Sequence, residues 1–117
     1  MLYKFSNENR TIEIDEDDLK NIDVIVCYLV LVLVYKTKNR STPPIMDLND
    51  APSDITDDKK RWFYILAEIE WTCNHICYQA NENNLIIKDN VLDLMKYEDR
   101  IQNGLRLVSR YLREMSL

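Results

Sequence analysis

Residues 23–36 read DVIVCYLVLVLVYK, and the twelve from Val24 to Tyr35 contain no formal charge, glycine or proline. Such a run suits a membrane span, a buried strand or a helix in a small core. A spanning helix needs about 20 mainly apolar residues. Extending backwards from Val24 meets Asp23 and then Lys20, so the flanks do not supply that length. A strand is favoured by the β-branched Val24, Ile25, Val26, Val30, Val32 and Val34. Twelve apolar positions nevertheless exceed a usual strand, whereas three helical turns hold them.

The residues just upstream point the same way. In IDEDDL, Asp15 is placed to cap a helix with Asp18 at its third position, and Ile14 to pack on Leu19. Glu16, Asp17 and Asp18 suit the positive end of the helix dipole, and Lys36 and Lys38 the negative end. The expectation is one helix over about residues 16–37. It is apolar around its circumference and buried on several sides, with Leu29 and Leu31 in the core.

Before it, LYKF and TIEI flank SNENR, which gives two short strands, Leu2–Phe5 and Thr11–Ile14, capping the helices. After it, all three prolines and many turn formers fall in a polar connection at about 38–56, with a short turn near Ile45–Leu48. A third segment, from Asp57 or Asp58 to about Gln79 and capped by Thr56 or Asp57, carries a stripe of Trp62, Ile65, Leu66, Ile69, Cys73, Ile76 and Ala80. Phe63, Tyr64, Trp71 and Tyr78 project on its other sides. ANENN then interrupts the pattern. A last helical region starts near Leu85 or Asn90, with Val91, Met95, Ile101, Leu105, Val108, Leu112 and Met115 facing inward. Glu98 weakens that seam, and Gly104 either breaks the helix around 99–104 or permits close packing. The fold expected is therefore mainly α: one domain over 1–117, a small bundle of three or four helices with room for an N-terminal β-hairpin.

Charge is uneven along the chain. Residues 1–58 hold 12 acidic and 6 basic groups, while 59–117 hold 8 and 9. An acidic front half attracts basic partners, including nucleases whose own surface is built for nucleic acid. Asp47, Asp50, Asp54, Asp57 and Asp58, with Trp71 as an aromatic anchor, are the candidate protein contacts. Lys96, Arg100, Arg106, Arg110 and Arg113 form a basic stripe that offers nucleic-acid binding as a second reading. Self-association through residual aromatic surface is a third.

Catalytic chemistry finds little support. Cys73, His75 and Cys77 are close in sequence, but on a helix His75 points away from the two thiols, and two thiols do not complete a tetrahedral zinc site. Cys27 could approach as a third ligand, but no spacing rule predicts it. Glu68 and Glu70 do not share a helix face. There is no phosphate-binding glycine loop, HExxH pair or zinc-finger spacing. No cofactor or metal is expected, and no enzymatic activity. The opening MLYKFSNENR lacks a secretory pattern and the cysteines are odd in number, which leads to an expectation of reduced, cytoplasmic residence. The function expected is protein binding: an inhibitor or regulator, with an immunity protein against a basic toxin nuclease as the sharpest form.

Overall fold

The computed structural model describes residues 2–40, 42–82 and 91–116. In chain order these form β1 (Leu2–Ser6), β2 (Thr11–Asp15), α1 (Glu16–Leu19), α2 (Ile22–Thr37), a single 3-10 turn (Leu48–Asp50), α3 (Asp58–Glu82) and α4 (Val91–Ser116). The protein is a small, mainly helical bundle with an N-terminal hairpin. The segment where ANENN ends and the last helix was expected to start, near Leu85 or Asn90, lies outside the described residues. So do the facings of Tyr78, Ala80 and Val91.

Local signals in the front half act as the sequence predicts. Asp15 Oδ1 accepts the Asp18 N–H at 3.0 Å, and Asp18 Oδ2 accepts the Asp15 N–H at 3.2 Å, a reciprocal capping box. The helix it starts is short, because the chain turns at Lys20 and Asn21 before α2 begins with Ile25 N–H donating to the Asn21 carbonyl. The expected single helix over 16–37 is thus two. In the hairpin, Tyr3 pairs with Ile14 and Phe5 with Ile12, which places these four on one face. That face is not buried against the helices: Phe5 is 61% and Ile12 56% exposed.

The larger correction concerns α2. The central helix is α3, which packs against both α2 and α4 and buries Trp62, Ile65, Leu66, Ile69, Cys73 and Cys77. Helix α2 lies outside it and buries one stripe, Val24, Cys27, Val30, Val34 and Thr37. These are small side chains, so the two helix backbones come close. Leu29 and Tyr35 point outward, 62% and 75% exposed, and so does Val32, 66% exposed, while Leu31 and Leu33 pack partly against the core. Uniform hydropathy hid the choice, because the inward face is set by how the side chains fit against α3 and not by their polarity.

On α4 the buried row is Ile101, Gly104, Leu107, Tyr111 and Met115. Met95, Leu105 and Leu112, expected inside, are exposed, and Val108 packs at the edge of the core. The helix is continuous through Gly104, which faces Thr72 of α3. A Cβ at 104 would stand 1.7 Å from Thr72 Oγ1 and 2.5 Å from Thr72 Cβ. The only glycine of the chain therefore marks the α3–α4 crossing and fixes which face of α4 turns inward. In Gly104→Ala, helix propensity gains about 1 kcal/mol, but overpacking against a stiff β-branched neighbour costs more. We expect a net loss of about 2 kcal/mol in urea unfolding, and a gain in stability would show that the helices do not touch there.

Candidate protein-binding surface

Among the described residues between α2 and α3 the 3-10 turn is the one regular element, and the main-chain groups of the rest need partners. Arg61, in the first turns of α3, supplies many of them. One guanidinium nitrogen donates to the carbonyls of Pro52 (2.9 Å) and Ile55 (2.8 Å). The other donates to those of Leu48 (2.8 Å) and Ala51 (3.3 Å). Arg61 is buried, so these bonds act away from water and hold the loop to the helix. Beside it, Asp57 Oδ2 accepts the Lys60 N–H at 3.0 Å and caps α3, one of the two expected caps.

A second anchor comes from α4. The Tyr111 hydroxyl donates to Asp50 and accepts the Asp47 N–H at 3.1 Å. Arg106 and Arg110 reach the same Asp50 carboxylate at 2.9 Å and 3.3 Å. The Tyr111 ring meets the Trp62 ring edge-on at 5.4 Å, which places this polar knot directly on the core. Burial pushes the Asp50 carboxyl up, but the Tyr111 hydroxyl and the Arg106 and Arg110 guanidiniums outweigh it and hold it below the ordinary range. The Tyr111 hydroxyl is pushed up by burial and then by its bond to Asp50.

The candidate acidic contacts thus divide. Asp50 is inside the knot and offers no free surface. Asp47 caps the 3-10 turn through the Asn49 N–H at 2.9 Å and lies 3.8 Å from Arg110, with its side chain 44% exposed. Asp54, Asp57 and Asp58 are exposed. Trp71 is half-buried under the Arg100 guanidinium, 3.8 Å from its ring, and stacks on His75 at 4.0 Å. Of the basic stripe, Arg100 is held by Glu68 at 3.1 and 3.0 Å, while Arg106 and Arg110 bind Asp50. Lys96 and Arg113 are exposed.

Two residues that composition did not single out stand furthest into solvent: Ile45 is 96% and Leu48 83% exposed. Between Pro44 and Arg61 they border an open recess of about 330 Å³ that Asp58 also lines. Across the Pro43–Pro44 step lies a second recess of about 230 Å³, lined by Arg40, Trp62 and Glu114 among others. Glu114 Oε2 is buried without a hydrogen-bond partner among the described residues. A run of prolines with isolated apolar residues beyond it was the available signal for this surface.

The thiol cluster is a core feature. Cys27, Cys73 and Cys77 are free and buried, and burial is the main cause that pushes all three thiols up, so they stay neutral. His75 Nδ1 contacts the Trp71 carbonyl at 2.8 Å. No group of side chains among the described residues could hold a metal ion, and no described helix is long and apolar enough to cross a membrane. No protein-family model, curated protein or solved structure matches the chain.

Two substitutions test the anchors. Arg61→Met keeps the aliphatic stem but takes the side-chain donor from four carbonyls, of which, among the described residues, only that of Pro52 retains another, the Ile55 N–H. It should lower unfolding free energy by about 3 kcal/mol and open the loop to proteases; a loss below about 1 kcal/mol would show that the carbonyls are equally well satisfied by water. Asp50→Asn should cost about 2 kcal/mol at neutral pH, since its arginine partners stay half-exposed. Because the folded carboxyl titrates below its unfolded value, that contribution is complete above the unfolded value and drains away as pH falls through the folded one. The gap between wild type and Asp50→Asn should therefore narrow from about pH 5 towards pH 2, and a gap independent of pH would count against the charged form.

Proposed function

We propose that this chain is a protein-binding inhibitor or regulator whose contact surface is the anchored loop between α2 and α3. The observation that carries the reading is that a loop pinned at both anchors holds Ile45 and Leu48 almost wholly in water. Apolar side chains on a preorganised loop lose little conformational freedom when a partner covers them, which is how compact binders gain affinity. Asp47 stands between them in the chain and Asp58 lines the same recess, Asp54 and Asp57 are exposed further along the loop, and Glu114 lines the neighbouring recess. The matching partner is a protein with an apolar pocket ringed by lysine and arginine.

A basic nuclease fits that description, since the surface it uses for nucleic acid is itself positive. An immunity protein neutralising such a toxin is the sharpest form of the proposal. The carboxylates would speed the encounter, and the two apolar knobs would slow release.

The test is purification of tagged chain from its native cell with quantitative mass spectrometry, comparing wild type with Ile45→Ser/Leu48→Ser. A basic protein recovered in stoichiometric amount with wild type should fall at least about tenfold with the variant. With that partner in hand, Asp54→Asn/Asp57→Asn/Asp58→Asn should slow association several-fold at low salt and little at high salt, while the asparagine at 57 still caps α3. A partner retained equally by the Ile45/Leu48 variant would refute this surface. Unchanged association rates in the triple variant would refute its electrostatic part.

A further inference from the structure

On the outer side of α2, Ile22, Ile25, Leu29, Val32 and Lys36 follow at steps of three, four, three and four residues. That is the spacing of a coiled-coil seam. The seam turns away from α3 and α4: Ile22 is 43%, Leu29 62% and Val32 66% exposed, and Ile25 is partly so. Val26, Tyr28 and Tyr35 widen it on both sides. The apolar side chains offer on the order of 600 Å² per copy, at the upper end for a monomer and near the roughly 800 Å² per partner of a standard interface.

The seam is complementary to itself in one orientation. Leu29 is its midpoint, seven residues from Ile22 and seven from Lys36. The amino end is net acidic, since Glu16, Asp17 and Asp18 in α1 outnumber Lys20, which lies 3.6 Å from Asp17. The carboxyl end carries Lys36. Parallel pairing would set lysine on lysine and carboxylates on carboxylates. Antiparallel pairing brings the partner's Lys36 to Ile22 and towards the acidic turn of α1, and sets the two helix dipoles side by side in opposite directions, which is the attractive arrangement. The same carboxylates repel an anionic membrane surface, which leaves protein as the better cover. We infer that α2 packs antiparallel against α2 of a second copy of this chain, about a two-fold axis near Leu29.

This site is separate from the loop carrying Ile45 and Leu48, so the two proposals fail independently. Sedimentation equilibrium of the full chain from about 1 to 100 μM should show a concentration-dependent rise from 14.0 kDa to about 28 kDa, twice the chain mass. Leu29→Glu/Val32→Glu changes exposed positions to good helix formers. It should keep the far-ultraviolet dichroism of wild type and weaken self-association at least about tenfold. A wild type that stays at 14.0 kDa throughout, because the face is bare or takes a different protein, overturns the inference. So does a dimer indifferent to the two glutamates. For orientation, Ile22→Cys chains mixed with Lys36→Cys chains and oxidised by glutathione disulfide should give a covalent mixed dimer. Self-linking of Ile22→Cys alone would reverse the assigned direction.

Discussion

Arg61 binds four main-chain carbonyls from one buried guanidinium, and the shape of the loop joining α2 to α3 depends on it. A loop of this length lacks the ladders that satisfy the backbone in helices and sheets, so its carbonyls either face water or need a donor. A planar cation with donors in a fixed fork serves several carbonyls at once, which a lysine ammonium cannot match in geometry. Because Arg61 belongs to α3, which contributes more buried residues to the core than any other described helix, the loop takes its position from the centre of the bundle. Asp50, Tyr111, Arg106 and Arg110 tie the same loop to α4, so it spans two helices.

What the residues disclosed in advance was what depends on near neighbours. The Asp15–Asp18 box, the Asp57 cap and the stripe from Trp62 to Cys73 are set by spacings of three or four residues, and each was readable. The outward turn of Leu29 was not, because nothing in VIVCYLVLVLVY distinguishes one side by polarity. Bulk does not separate the sides either, since Val26 and Val32 face out while Leu31 and Leu33 pack partly on the core; the inward face is set by the fit against α3. The inner face of α4 was read in part: Ile101, Val108 and Met115 turn to the core as expected, whereas Leu105 and Leu112 gave way to Leu107 and Tyr111. The setting of that face follows from the space around Gly104, which is a property of the neighbouring helix and of Thr72 in particular.

The candidate contacts were legible in part. The acidic composition of the loop was plain, but Asp50 could not be separated from Asp54 by sequence, since its burial rests on residues 56 to 61 positions away. Likewise Arg100 and Arg106 look like surface cations until Glu68 and Asp50 are placed beside them. Ile45 and Leu48 were legible as bounds of a short turn but not as contacts, because apolar residues in a polar loop ordinarily turn inward, whereas here both stand in water beside Pro44 and Arg61.

The three thiols between α2 and α3 give the molecule a built-in chemical clock. Cys27 lies on one helix, Cys73 and Cys77 on the other, and burial keeps them protonated and out of reach. An alkylating reagent can therefore label them only when the packing that buries them opens, so the labelling rate at high reagent concentration reports how often the α2–α3 interface parts. The native chain thus carries its own gauge of the motion that separates α2 from the central helix.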